Sequence, residues 1–232
     1  MLVGGRVDQI TSTACLCDTS ALSPWAARAV FAGGCAANVV TGALVLRADR
    51  LLRRAPMAAR YTAWLFGHVS LFVAAGYLMV FPFLPVGDWH DFVAGLSAPL
   101  MWKLALTVVG VVGYAATMTH ARRTLGELLG PASPRRDART LTLIPYLVGG
   151  AIEAVSSIVG GGGILTLISA VPATFGGTIG LVFVGARTGS SRAATTTAPG
   201  LRWRRYPIII ITGVLVALVH LFWFGPGLLA RH

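Results

Sequence analysis

Acid is what this chain most lacks, with six Asp and two Glu in 232 residues. Lysine is scarcer still, since Lys103 is the only one among nineteen basic residues. Charged residues make up 12% of the chain, roughly half of what a soluble domain carries. That shortage excludes a polar shell around a soluble core. The three cysteines, Cys15, Cys17 and Cys35, give no even framework. Cys15 and Cys17 are too close for an ordinary disulfide, and C-x-C without further Cys or a nearby His is a weak metal signal, so all three read as incidental. No N-terminal signal peptide is visible, because residues 1–24 are polar and mixed before the first apolar block.

Long apolar blocks are what the chain has instead. Hydrophobic residues are 55% of it, mean hydropathy is +0.73, and the blocks run about twenty residues, enough to cross roughly 30 Å of hydrocarbon at 1.5 Å per residue. The expectation is an all-α, polytopic membrane protein. A short extracytoplasmic segment, 1–23, precedes a single transmembrane helical domain over 24–232. Six spans are expected, at about 24–46, 62–86, 98–119, 141–159, 164–185 and 206–229. Within the leading segment, Arg6-Val7-Asp8-Gln9-Ile10 reads as a strand or an extended loop. Ser23-Pro24 reads as a helix start, with Ser at the N-cap and Pro at the first helical position. Gly33, Gly34, Ala36, Ala37 and Gly42 in the first span are small enough for close helix approach, and Asn38 there can bond to a neighbour. Gly160 to Gly163 permit a tight turn between spans four and five.

The net charge of +11 is not that of a nucleic-acid binder, which needs a folded soluble face with groove-reading or aromatic elements. Fifteen basic residues fall in three inter-span segments: Arg47, Arg50, Arg53, Arg54 and Arg60; Arg122, Arg123, Arg135, Arg136 and Arg139; and five between Arg187 and Arg205. The other two connections carry none. By the positive-inside rule the arginines are cytoplasmic, and both termini and Asp88 lie outside. The expected partners are a bilayer with anionic headgroups at the Arg-rich loops and other membrane proteins packed on small-residue faces. The expected location is a bacterial cytoplasmic membrane.

Five polar groups inside apolar spans need an explanation: Asn38, His68, His120, Glu153 and His220. Intramembrane ionisable groups are costly and default to functional candidates. His68 and Asn38 lie at similar depth and read as a hydrogen-bonded structural pair. His120 falls at the cytoplasmic end of span three, where the helix dipole favours a cation. Glu153 and His220 each lie roughly 9–14 Å from the outer end of a span, and read either as a satisfied structural pair or as a proton-handling one.

The organising stretch is 67–91, GHVSLFVAAGYLMVFPFLPVGDWHD, an apolar helix that breaks at Pro82 and Pro85 and then reaches Gly87-Asp88. Asp88 reads either as a helix cap facing water or as a chemical group. His90 and Asp91 crowd the same loop, but three ligands on one loop make a weak metal site.

Two stretches together resemble the site-2-protease-type intramembrane zinc metalloproteases. Gly34-Cys35-Ala36-Ala37-Asn38 is similar to that family's Gly-Pro-x-x-Asn helix, with Cys35 where Pro is usual. The Pro-containing end of span two leading to Asp88 resembles its third-ligand aspartate motif, with Trp89 where Gly is usual. Val3 to Ile10 is similar to the short extended segment after the family's zinc helix. The likeness covers about residues 1–91. It implies Asp88 as a candidate third zinc ligand.

The family's chemistry also needs His-Glu-x-x-His, two imidazoles on one helix face with Glu as general base. Here His occurs only at 68, 90, 120, 220 and 232, and Glu only at 127 and 153. The resemblance therefore implies a degenerate relative, or a fragment whose zinc helix lies before Met1. In this form it has no zinc and no complete catalytic site. The alternatives are a small-solute or proton transporter or channel, using Glu153 and His220 as a polar path, and a non-enzymatic membrane scaffold subunit.

Overall fold

The computed structural model describes residues 6–10, 15–48, 51–130, 135–159, 174–188, 218 and 228–229. They form β1 (Arg6–Ile10), β2 (Cys15–Asp18), α1 (Pro24–Ala48), α2 (Met57–Val80), α3 (Asp88–Val93), α4 (Pro99–Leu129), α5 (Arg135–Val159), α6 (Gly180–Arg187) and β3 (Leu228–Leu229). Among the described residues four helices are long and apolar enough to cross a membrane. The structure is mostly helical, and the chain is an integral membrane protein. The outward face of α4 makes the same point: Val108, Val109, Val111 and Val112 are 47–63% exposed, a stripe that is stable against lipid and not against water.

α1 and α4 both pack on α2, and α5 packs on α6. α1 runs antiparallel along one side of α2, in contact where Gly42 meets Gly67 and Leu71. A Cβ on Gly42 would lie 2.8 Å from the Gly67 carbonyl oxygen. α4 runs antiparallel along the other side, with Gly110 against the backbone of Ala75, Leu78 and Met79. Gly76 meets Gly177 in the apolar helical stretch Thr174–Ala186, whose later part belongs to α6. With little to gain from burying oil in oil, helices in a bilayer hold by close backbone approach. The glycines of α2 and its neighbours supply that approach. The other small residues of span one make no such approach within this chain: a Cβ on Gly33 or Gly34 meets nothing within 4 Å, and Ala36 and Ala37 are exposed.

A backbone group released by a proline is recaptured. Pro145 lies inside α5 and has no N–H for the carbonyl of Leu141, four residues earlier. The Tyr61 hydroxyl donates to that carbonyl at 2.7 Å from α2. At the end of α2, Pro82 and Pro85 break the helix into a 3-10 turn, Phe81–Phe83. There the Thr107 hydroxyl donates to the Met79 carbonyl at 3.2 Å. The second helix thus stops at Val80, short of the expected 86.

Other boundaries shift as well. α4 continues ten residues past the expected end at 119, so Arg122 and Arg123 are helical, as are Arg135, Arg136 and Arg139 at the start of α5. Of the expected fifth span only the part from Thr174 is described, and most of the sixth lies outside the described residues. Leu228 and Leu229, at the end of the expected sixth span, form a strand instead and pair antiparallel with β1. β1 also pairs with β2, giving the order β2-β1-β3. Arg6 to Ile10, expected as a strand or an extended loop, is a strand, and Leu228–Leu229 sits beside it. Ser23 caps α1 as expected, its hydroxyl accepting from the Ala26 N–H at 3.4 Å.

Candidate functional site

The bundle has two ends with different chemistry. At one end lie the start of α1, the end of α2, α3 and the start of α4. Gly87 (φ 94°) turns the chain into α3; at that φ a Cβ would be strained, and here it would also meet the Tyr77 hydroxyl at 2.9 Å. Asp88 is the first residue of α3 and is exposed. Although the residue as a whole is exposed, its carboxyl is held above the usual aspartate range, first by partial desolvation and second by the charge of Asp91. Its ionised form therefore costs the fold more than a free aspartate would, a penalty that sets in as pH rises through the raised pKa.

Trp89, where the resemblance has Gly, is 5% exposed and packs with Cys35, Ala74 and Phe81. Cys35, where the resemblance has Pro, donates its S–H to the Ala74 carbonyl at 3.6 Å. Both departures from the motif thus fall in the buried cluster where α1, α2 and α3 meet.

α3 is held from α1. Arg28 donates from Nε to the Phe92 carbonyl and from Nη2 to the Ala94 carbonyl, both at 3.0 Å. A cation on the last carbonyls of a helix suits both their hydrogen bonding and the dipole. This explains an arginine at the otherwise arginine-poor end. Arg28→Ala should lower the thermal midpoint by the equivalent of about 1 kcal/mol, because two carbonyls lose a charged donor at a partly exposed site. Arg28→Lys should recover less than half, having no fork to reach both. An unchanged midpoint in Arg28→Ala contradicts this role.

Among the described residues no three His, Cys, Asp or Glu side chains gather as a metal site, so Asp88, His90 and Asp91 do not form one. Asn38 is half-buried on α1. It is not the partner of His68, whose two ring nitrogens are both taken: Nδ1 lies 2.7 Å from the Trp64 carbonyl oxygen and Nε2 lies 2.9 Å from Nδ1 of His120. The expected Asn38–His68 pair is therefore replaced by a His68–His120 pair. His120 is not at a helix end either, since α4 runs on to Leu129. Glu153 is half-buried on α5, and its backbone carbonyl accepts from Ser157. His220, its expected partner, lies outside the described residues.

The histidine pair has a fixed proton order. A carbonyl only accepts, so His68 Nδ1 carries a hydrogen. In neutral His68, Nε2 is then an acceptor, and His120 Nδ1–H donates to it. The nitrogen left to take up a further proton is Nε2 of His120. Trp64 braces the pair, donating from Nε1 to the Thr124 hydroxyl at 2.9 Å, while that hydroxyl donates to the His120 carbonyl at 2.9 Å. His68 is fully buried and His120 exposed. His120 lines a cavity of about 470 Å³ between the end of α1, the first half of α2 and the end of α4, with Arg47, Arg60, Glu127, Leu46 and Leu71 also in its wall.

No protein-family model matches the sequence, and no curated protein and no solved structure is significantly similar to it.

Proposed function

We propose that the chain is a degenerate or truncated relative of the site-2-type intramembrane metalloproteases, with Asp88 at the position of the third zinc ligand. It is inactive as it stands because the paired-histidine helix is missing. One observation carries the reading. The two stretches that resemble the family lie 50 residues apart in sequence, and in the fold Cys35 of one and Trp89 of the other belong to the same buried cluster between α1, α2 and α3. The extended segment at Arg6 to Ile10 is a strand that leads through β2 into the same end of α1. The arginine distribution favours an outer location for this end and for both termini. A single aspartate is one ligand of the three a catalytic zinc needs, so this chain contributes a ligand and a frame and no turnover.

The test is zinc content, by elemental analysis, of this chain and of the chain extended upstream in frame. The reading predicts less than about a tenth of a zinc per chain here. It predicts about one in the extended form, lost in Asp88→Ala, as expected when one of three protein ligands goes. No zinc in either form, or zinc indifferent to Asp88, overturns it.

A second reading, a small-solute or proton path, is favoured by the His68–His120 pair, since imidazoles joined inside a bilayer are suited to proton exchange. It predicts proton flux in proteoliposomes that His68→Gln abolishes. Flux equal to that of protein-free vesicles rejects it.

A further inference from the structure

The neighbours of α5 define which of its faces turns into the protein. Thr142 meets Gly185 and Gly150 meets Phe175, both in the stretch Thr174–Ala186. Tyr146 stands edge-on to Phe175, with 5.4 Å between ring centres. Thr142, Gly150, Ser156 and Ser157 are buried along this face, while Ala151, Val155 and Ile158 on the other are exposed. Glu153 lies three residues after Gly150 and three and four before Ser156 and Ser157, which is the spacing of one helix face. Its carboxylate therefore belongs to the inward face of an apolar span, Arg136–Ile158.

Ser156 is 0% exposed, and its hydroxyl has no hydrogen-bond partner. A serine inside a helix commonly spends its hydroxyl on the carbonyl four residues back. Ser157 does so, donating to the Glu153 carbonyl at 2.9 Å, and its oxygen keeps lone pairs to offer. Ser156 does not. Among the described residues no ion pair or hydrogen bond holds the Glu153 carboxylate either. An orphan hydroxyl and an unpaired carboxylate inside a membrane span are each costly, and a bound cation answers both. Three oxygens on one turn suit a hard cation. Charge then selects among hard cations: a single positive charge neutralises the one carboxylate, whereas a divalent ion leaves a net charge in a low dielectric.

We propose that Glu153, Ser156 and Ser157 form a binding site for one monovalent alkali cation on the inward face of α5. The site rests on neither the metalloprotease reading nor the histidine pair, since Asp88, His68 and His120 belong to other helices.

The experiment is the thermal unfolding midpoint of the full chain in neutral detergent, buffered at about pH 8, well above the ordinary carboxylate range. NaCl, KCl or CaCl2 is titrated, with choline chloride holding ionic strength constant so that screening does not change. The expected result is a saturable rise of about 5 °C or more with Na+ or K+ at a hundredfold excess over half-saturation, and none with choline. Glu153→Gln keeps the shape and drops the charge, so its midpoint in choline should equal or exceed that of the wild type while the rise is lost. Ser156→Ala should increase the half-saturating concentration about tenfold, as for one lost contact to a charged group. It removes only an orphan hydroxyl, and so keeps the test open if Glu153→Gln does not fold. Glu127→Gln, on an exposed position of α4, should change neither midpoint nor half-saturation. Equal midpoints in alkali and choline salts, a rise that survives Glu153→Gln, an unchanged half-saturation in Ser156→Ala, or a larger rise with calcium overturns the proposal.

Discussion

Gly110→Leu should separate α4 from α2 and abolish a monodisperse folded protein in detergent. Even Gly110→Ala should lower stability, by about 1–3 kcal/mol. A Cβ at this position would sit 2.6 Å from the Met79 nitrogen, 2.8 Å from the Ala75 oxygen and 2.9 Å from the Leu78 carbonyl carbon. All three are backbone atoms, so no rotamer change relieves the clash, and the helices must part. Separation costs more than that contact. It pulls His120 from His68, Thr124 from Trp64 and Tyr114 from the Gly180 N–H, to which its hydroxyl is an acceptor at 2.7 Å. Gly34→Ala is the informative control. Nothing lies within 4 Å of its Cβ, and Ala is worth up to about 1 kcal/mol over Gly in a helix, so stability should hold or rise. The check is the unfolding midpoint of the three variants. Equal loss at both positions contradicts the close crossing.

Tyr61→Phe should cost about 1–3 kcal/mol, and the cost should shrink when Pro145 is replaced. In the wild type the Leu141 carbonyl has no donor in its own helix because residue 145 is proline, and the Tyr61 hydroxyl substitutes. Leu141 is 2% exposed and Tyr61 6%, so water does not take over and the carbonyl is left unsatisfied. Pro145→Ala restores an N–H within α5 and removes the steric reason for the break. The double variant Tyr61→Phe, Pro145→Ala should therefore lose less than the single Tyr61→Phe lost. A double-mutant cycle in denaturant reads the coupling directly. Additive effects contradict the substitution of one donor for another.

The membrane class, the first three long helices and the break before Asp88 were legible because each is local. A twenty-residue apolar block, a Ser-Pro start and a Pro-x-x-Pro stop act within one turn or one span. The Tyr61–Leu141 bond was half legible, since Pro145 announces an orphan carbonyl but not who answers it.

What failed needed the relative rotation of helices. His68 was matched to Asn38 on depth alone, yet the face of α2 that carries His68 also carries Trp64 and Phe72, and this face meets α4. Depth does not encode azimuth. The glycines misled for the same reason: Gly33 and Gly34 look like contact residues, while Gly42, Gly67 and Gly110 make the contacts. α4 outran its expected end because Arg122 and Arg123 stop an apolar window without stopping a helix; Gly130 does that, at φ 72°. β3 was missed because two leucines after a long apolar block look like more of that block, and their pairing with β1 is non-local.

The topology read from the arginines rests on one claim, that α2 carries the Asp88 turn and the His120 cavity to opposite faces of a membrane. Single-cysteine labelling with a membrane-impermeant maleimide tests it most directly. In a background with Cys15, Cys17 and Cys35 replaced, Asp88→Cys and Arg54→Cys are probed in intact and permeabilised cells. The account predicts that Asp88→Cys labels in intact cells and Arg54→Cys only after permeabilisation. Labelling of both from the same side would contradict it.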